Sequence, residues 1–416
     1  MDRTRWWGVI VRGRWLLRPG RPPIDDAAVL VRDGCVAQAG PWTQIKSNAD
    51  DREIVDTGDC LLIPGLVNAH THLALSDLCG QLPRPKRFTD WLKAIVRHGR
   101  TRGPDAAAAA VRDGAARSLA AGVTTVADVS FGGAGAETLA DSPLRCTVFV
   151  EVFGHSRKQF EPRLAMAAAR AQGLASLGLA VGLSPHAPYS TGTRAYLAAM
   201  VEAERRGWPL TTHLHETRDE IELYRAGKGM FARWLQLRLI LWLGGFKPPR
   251  VSPIQALADA GTLARPWIVA HGNYLDDAEM GLLRRNGSTV VYCPRSHDYF
   301  GHADHPYRRL LAAGVPVALG TDSLASAPSL SILDEMRLVA ARDGTSPETL
   351  LTMATAAGAD ALGLGGVTGR LAEGEQADLV ALPADDAATA DPWDALVAGD
   401  AAPVGVWIGG RRVVGE

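Results

Sequence analysis

Between residues 61 and 323, short apolar runs alternate with amphipathic stretches at helical spacing. The runs are LLIPGLV from Leu61, VTTVADV from Val123, RCTVFVEVF from Arg145, LAVGLSP from Leu179, PLTTHLHE from Pro209, WIVAHGN from Trp267, STVVYCP from Ser288 and VPVALGTDS from Val315. Short apolar runs bounded by turn residues predict strands buried on both faces. Helices are predicted between them, over 89–102, 106–121, 163–178 and 193–207. Strand and helix in alternation, with eight β units, predict an α/β chain folded as a (β/α)8 TIM-type barrel, whose active site lies at the C-terminal ends of its strands. An open doubly wound sheet is the rival. It would leave the polar residues at the strand ends without a common focus.

Both ends of the chain have a different texture. WGVIVRGRWLL, AAVLVRDGCVAQAG and EIVDTGDCLLIPG open it, and GRLAEGEQADLVALPA and PVGVWIGGRRVVGE close it. Short strands with tight turns, such as the hairpin signal Arg32-Asp33-Gly34-Cys35, predict a small β-sandwich domain formed by both termini. The expected division is 1–63 with 371–416 for that domain and 64–370 for the barrel.

Composition narrows the function class. The chain has 416 residues, 47% hydrophobic and 21% charged, with a net charge of −1 and a pI of about 6.8. Nothing in that balance steers nucleic acid or an acidic surface to it. No apolar run approaches the ~20 residues that span a bilayer. The cysteines, Cys35, Cys60, Cys79, Cys146 and Cys293, are scattered and odd in number, which fits a reducing cytoplasm. Neither nucleic acid nor a membrane is an expected partner.

The chemistry sits at the strand ends. They carry His70 and His72 on the first, His186 on the fourth, His213, His215 and Glu216 on the fifth, His271 on the sixth and Asp322 on the eighth. His70 and His72 stand two apart, so on a strand they face one side, and paired imidazoles suit a transition metal. Each residue alone has a structural reading: His186 could cap a turn, and Asp322 could start a helix. One face of one barrel collects them all, and that favours a metal centre. His213 and His215 also share a side, so alternation leaves open which of them is a ligand.

The motifs PGLVNAHTH at residues 64–72, His213-x-x-Glu216, Val269-Ala270-His271 and Gly320-Thr321-Asp322-Ser323 resemble the amidohydrolase superfamily, in particular its deaminase and chlorohydrolase branch. The resemblance covers nearly the whole chain. It implies one divalent metal, zinc first and iron as the alternative, held by His70, His72, His213 and Asp322. His213 is preferred because the family places its catalytic Glu three residues after the ligand. His215 then becomes a support or a substrate contact. LAVGLSPHA has no Lys to bridge a second metal, so a mononuclear site is implied. Glu216 would move protons, His271 would orient the attacking water, and Asp322 would relay a proton to departing ammonia. The implied reaction is hydrolytic deamination of an amidine-like ring carbon, with a small heterocyclic molecule as the implied partner. A chlorohydrolase, a cyclic amidohydrolase and a non-catalytic scaffold are the alternatives.

CPRSH at 293–297, the following FGH and GTDSLAS resemble the aminodeoxyfutalosine deaminases of menaquinone biosynthesis. That substrate is an adenine nucleoside extended by a benzoate. His186 would then meet the purine or ribose, Arg295 the carboxylate, and Trp91 would form an aromatic wall. Rim ion pairing is the competing role for Arg295. His297 stands where relatives carry Asn, which weakens the transfer of detailed contacts. Residues 217–263, with Phe231, Trp234, Leu235, Leu237, Leu239, Ile240, Trp242 and Phe246, read as a lid or as an oligomer contact, a homodimer being the simplest. Glu335 reads as structural.

Overall fold

Gly65 divides the apolar run that the pattern reads as one strand. In the computed structural model, which describes residues 8–48, 53–233, 247–384 and 391–415, Cys60–Pro64 and Leu66–Thr71 belong to different sheets. A side chain at Gly65 would meet Thr124 at 2.2 Å, so the switch between sheets needs glycine. Periodicity cannot reveal this break, because both halves are apolar and fully buried.

Five strands precede it or end at it: β1 (Val9–Leu16), β2 (Ile24–Arg32), β3 (Cys35–Pro41), β4 (Glu53–Asp56) and β5 (Cys60–Pro64). Then come β6 (Leu66–Thr71), β7 (Val123–Ser130), β8 (Arg145–Val152), β9 (Ala180–Pro185), β10 (Thr211–Leu214), β11 (Ile268–His271), β12 (Thr289–Tyr292) and β13 (Val317–Leu319). These eight form two four-stranded parallel sheets in the orders β6-β7-β8-β9 and β10-β11-β12-β13. Single parallel bridges, Leu183↔Leu210 and Thr71↔Asp322, link them at both seams. The second seam is stitched by side chains. Asn68 Nδ2 donates to Thr321 Oγ1 (2.7 Å) and Thr71 Oγ1 donates to the Asp322 carbonyl (2.8 Å). The architecture is α/β of the TIM-barrel type, with helices such as Phe88–Thr101, Pro104–Ala120, Arg157–Ala175 and Thr193–Arg206 between the strands. All eight residues of β7 are buried, as a strand covered on both faces requires.

The last strands, β14 (Leu379–Pro383), β15 (Gly405–Ile408) and β16 (Arg411–Val414), return to the beginning. β14 pairs antiparallel with β5, Cys60 opposite Pro383 and Pro64 opposite Leu379. The hydrogen-bonded order is β16-β15-β14-β5-β1-β2-β3, with β4 beside β1. The sandwich expected of the two termini is thus hydrogen-bonded as one mixed sheet, because the β5–β14 pair joins both halves in a single path. Asp378 ties this sheet to the other strands. Its fully buried carboxylate accepts from Arg145 at the start of β8 (2.6 and 3.1 Å), from Thr368 Oγ1 (2.9 Å) and from Gly409 N–H (2.8 Å).

Candidate metal centre

The ends of β6, β10 and β13 bring three imidazoles and a carboxylate together. The ligand nitrogens of His70, His72 and His213 lie within 4.8 Å of one another. His72 Nδ1 donates to the Val129 carbonyl (2.8 Å), and His213 Nδ1 donates to the His186 carbonyl (2.9 Å). With those protons committed, both rings turn a bare Nε2 inward, and the two Nε2 atoms stand 3.1 Å apart. Two lone pairs that close repel unless a cation lies between them. His70 is buried with neither ring nitrogen hydrogen-bonded among the described residues. Asp322 Oδ1 lies 3.9 Å from His70 Nε2 and 3.7 Å from His72 Nε2. Its Oδ2 is occupied, accepting from Ser296 Oγ (2.6 Å) and Ser326 Oγ (2.8 Å). Neutral imidazoles and one carboxylate are the donor set of a divalent first-row metal, and bonds of about 2.0–2.1 Å to nitrogen would fit among them. Burial, then the neighbouring histidines, pushes His70 well below the ordinary imidazole range. His213 is pushed down to about 3 by burial and by His72. The rings are therefore held in the neutral, ligating form.

The backbone separates His213 from His215, which alternation could not. β10 ends at Leu214, and His215 turns to φ 53°. Its Nδ1 faces the Tyr274 carbonyl at 3.4 Å and Glu279 at 3.7 Å, away from the imidazole cluster. His271 (φ 70°) and Asp322 (φ 58°) share this left-handed conformation. Strained positions of that kind gather where surrounding packing fixes a functional side chain. Gly320 adds a close approach, since a Cβ there would lie 2.9 Å from the His70 carbonyl oxygen and 2.8 Å from Val291 Cγ1.

Glu216 follows the strand, buried, with Oε1 3.7 Å from His271 Nε2. Burial first, then Asp322 and Glu220, raises its carboxyl well above the usual range. Glu220 clamps the turn: its carboxyl accepts from the N–H of His215 and of Glu216, both at 3.2 Å. Thr217 caps the helix Arg218–Ala226 by accepting from Glu220 N–H. His305 Nε2 donates to the His271 carbonyl (2.7 Å) and steadies that residue.

His186 stands beside the cluster, its Nδ1 2.6 Å from Ser190 Oγ and its ring 4.7 Å from Phe153. Phe153 in turn packs on Phe131, which is 71% exposed, so an aromatic series runs outward to solvent. Trp91 donates from Nε1 to the Ala325 carbonyl (3.1 Å) and packs against Phe88 and Phe300 beside the loop that carries Asp322. Arg295 does not face the cluster with a free guanidinium. It donates to Ser329 Oγ (2.6 Å) and pairs with Asp334 (2.9 Å), the rim salt bridge that competes with a carboxylate contact. In the segment 217–263, Phe231 is buried between Tyr189 and Phe88. Trp234, Leu235, Leu237, Leu239, Ile240, Trp242 and Phe246 lie outside the described residues.

Sequence reading passed over Glu151, Glu220, Ser326 and His305. Glu151 had a signal, an acid within the otherwise apolar run RCTVFVEVF. The others act through contacts that no spacing announces.

Comparison with known proteins identifies a family and a fold. The model of the amidohydrolase family matches residues 61–413. A 5-methylthioadenosine/S-adenosylhomocysteine deaminase of Desulforudis audaxviator is 32% identical over 370 residues, covering 85% of this chain and 80% of the relative. Its counterpart in Saccharophagus degradans is 28% identical, covering 90% and 83%. Among solved structures, the Helicobacter pylori aminofutalosine deaminase in complex with methylthio-coformycin superposes with a TM-score of 0.85 at 23% identity, covering 97% of this chain and 100% of that one. A zinc-bound adenosine deaminase of Xanthomonas campestris gives 0.82 at 24% identity, covering 98% and 93%. These structural likenesses, below one-quarter identity, speak for the fold.

Proposed function

The chain belongs to the amidohydrolase family, and from that premise we propose that it is a metal-dependent hydrolase that deaminates the adenine-type ring of a nucleoside. The observation that carries this is the pair of inward Nε2 atoms of His72 and His213, 3.1 Å apart with both Nδ1 protons committed to carbonyls. That arrangement needs a cation. His70, His72, His213 and Asp322 would hold one divalent ion, zinc by analogy with the zinc-bound relative. Such an ion supplies the Lewis acidity that ionises water near neutral pH.

The chain's own groups supply the remainder. Glu216, kept protonated by its burial, can hand a proton to the ring nitrogen beside the reacting carbon and take one from water. His271 Nε2, 3.7 Å from that carboxyl, is placed to orient the water. Asp322 is fixed by two serine hydroxyls, so its other oxygen stays directed at the imidazoles. Water adds at the amidine carbon, the C–N bond breaks, and ammonia leaves.

The related proteins named for methylthioadenosine and aminofutalosine suggest an adenine nucleoside altered at its 5′ end. The aromatic series from His186 through Phe153 to Phe131 supports an extension lying on it. Arg295, engaged with Asp334, lends no support to a carboxylate there. We also read the two four-stranded sheets as one closed eight-stranded barrel, the residues 1–63 with 371–416 as its companion domain, and the free cysteines as fitting the cytoplasm. None of the described helices is long and apolar enough to cross a membrane.

Zinc-loaded protein assayed for ammonia release on adenosine, 5′-methylthioadenosine and free adenine tests the reading. Glu216→Gln should lower kcat by ~10²–10⁴ with metal content unchanged. No ammonia from any of the three, or near-normal turnover in Glu216→Gln, would replace it.

A further inference from the structure

Glu151 is an acid with a nearly enclosed side chain that the proposed reaction leaves without a role. It lies near the C-terminal end of β8, opposite Ser184 of β9, and its side chain is 6% exposed. No described residue donates a hydrogen bond to its carboxyl, and no Lys or Arg pairs with it among the described residues. A carboxyl this enclosed, with no protein donor, leaves its acceptor oxygens to whatever enters the adjoining space. Glu151 also points toward the metal cluster. One of its oxygens lies within 4.8 Å of ligand nitrogens of His186 and His213, and Oε1 is 3.8 Å from His186 Nε2.

His186 defines what can fill the space between them. Ser190 Oγ donates its own proton to the Ala187 carbonyl (3.0 Å), so it accepts from His186 Nδ1–H at 2.6 Å. Neutral His186 therefore presents Nε2 as an acceptor. A carboxyl oxygen and an imidazole nitrogen 3.8 Å apart are too far for a hydrogen bond to each other. Side by side, they suit a ligand that brings two donors. A second metal ion is a poorer match. His213 has committed Nδ1 to the His186 carbonyl and Nε2 to the first site, which leaves only two protein ligands.

The reacting edge of an adenine ring belongs with Glu216, His271 and Asp322, at the ends of β10, β11 and β13. Glu151 and His186 lie on the β8–β9 side of His213. Apart from the amino group that is lost, the donors of an adenine nucleoside are its sugar hydroxyls. We infer that Glu151, together with His186, binds the hydroxyls of the sugar and makes the enzyme select ribonucleosides over deoxy analogues. This rests on the nucleoside reading of the site.

The test compares wild type, Glu151→Ala and Glu151→Gln, each zinc-loaded and assayed for metal content. The substrates are adenosine, 2′-deoxyadenosine and 2′,3′-dideoxyadenosine. Binding of inosine and 2′,3′-dideoxyinosine is measured by calorimetry. Wild type should prefer adenosine over the dideoxy analogue by about 10–100-fold in kcat/KM, the range for losing two hydroxyl hydrogen bonds. Glu151→Ala should reduce that preference to within roughly threefold, chiefly by slowing adenosine, and should weaken inosine binding without changing that of dideoxyinosine. Glu151→Gln, nearly isosteric, should fold as wild type does and keep part of the preference. Equal losses on all substrates, no sugar preference in wild type, or two metal equivalents falling to one in Glu151→Ala would overturn the assignment. A wild type active on nucleosides but indifferent to Glu151 refutes this inference alone. A zinc-loaded wild type inert on every nucleoside removes the function it rests on as well.

Discussion

His213 and His215 are the same residue type two positions apart at one buried strand end, and only one faces the cluster. His213 keeps extended backbone and donates from Nδ1 to a carbonyl, which frees Nε2. His215 crosses to φ 53° and turns toward Tyr274 and Glu279. His70→Ala, His213→Ala and Asp322→Asn should therefore each lower bound metal to well under one equivalent by elemental analysis, while His215→Ala keeps most of it. Equal loss at His213 and His215 would contradict this geometry. Much of the candidate centre was legible in sequence, because polar residues at strand ends are reported by spacing and by the apolar run before them. The sign of a φ angle is not. Nor could spacing say whether Arg295 turns inward, because Ser329 and Asp334 reach it from the next strand–helix unit.

At the scale of elements, the helix after β13 buries an acid in support of the helix after β12. Glu335, on Ile332–Asp343, accepts from Arg295 N–H through Oε2 (2.9 Å), while Oε1 has no partner among the described residues. Burial pushes this carboxyl from the ordinary 4.5 up to about 8, against the opposing pull of Arg295. Between those values the folded chain holds a proton that the unfolded chain has released. Stability linked to Glu335 is thus full below the unfolded value and is lost as pH rises toward 8. The slope is at most ~1.4 kcal/mol per pH unit. Glu335→Gln, permanently neutral, should flatten the decline of Tm between about pH 5 and 8 relative to wild type. Parallel Tm profiles for the two proteins would show that Glu335 is not the source. The strand and helix order was read directly from the alternation of apolar runs, since parallel strands covered on both faces leave that pattern. The break at Gly65 escaped it, because a change of sheet partner alters no hydrophobic period.

Across the whole molecule, one buried carboxylate gathers contacts from the terminal sheet and from the parallel strands. Asp378 accepts from Arg145, Thr368 and Gly409, while its backbone carbonyl accepts from Gly65 N–H (2.8 Å), at the point where the chain changes sheets. Removing one partner of a buried pair strands the others. Asp378→Ala should cost roughly 3–5 kcal/mol in chemical denaturation. Zinc should still bind to whatever fraction remains folded. A loss under about 1 kcal/mol would mean that apolar packing and the remaining Arg145–Gln376 contact hold the two parts without it.

The pairing of β5 with β14 has a consequence for synthesis. β5 is apolar and buried along its whole length, and β14 covers one of its edges from more than 300 residues downstream. Until Leu379–Pro383 has emerged from the ribosome, that edge offers unpaired N–H and C=O groups on a strand with no charged side chain. Open, apolar strand edges recruit other chains. A polypeptide interrupted before residue 379 would therefore be prone to stick to its copies through Cys60–Pro64, whatever the state of the strands that carry the proposed metal ligands.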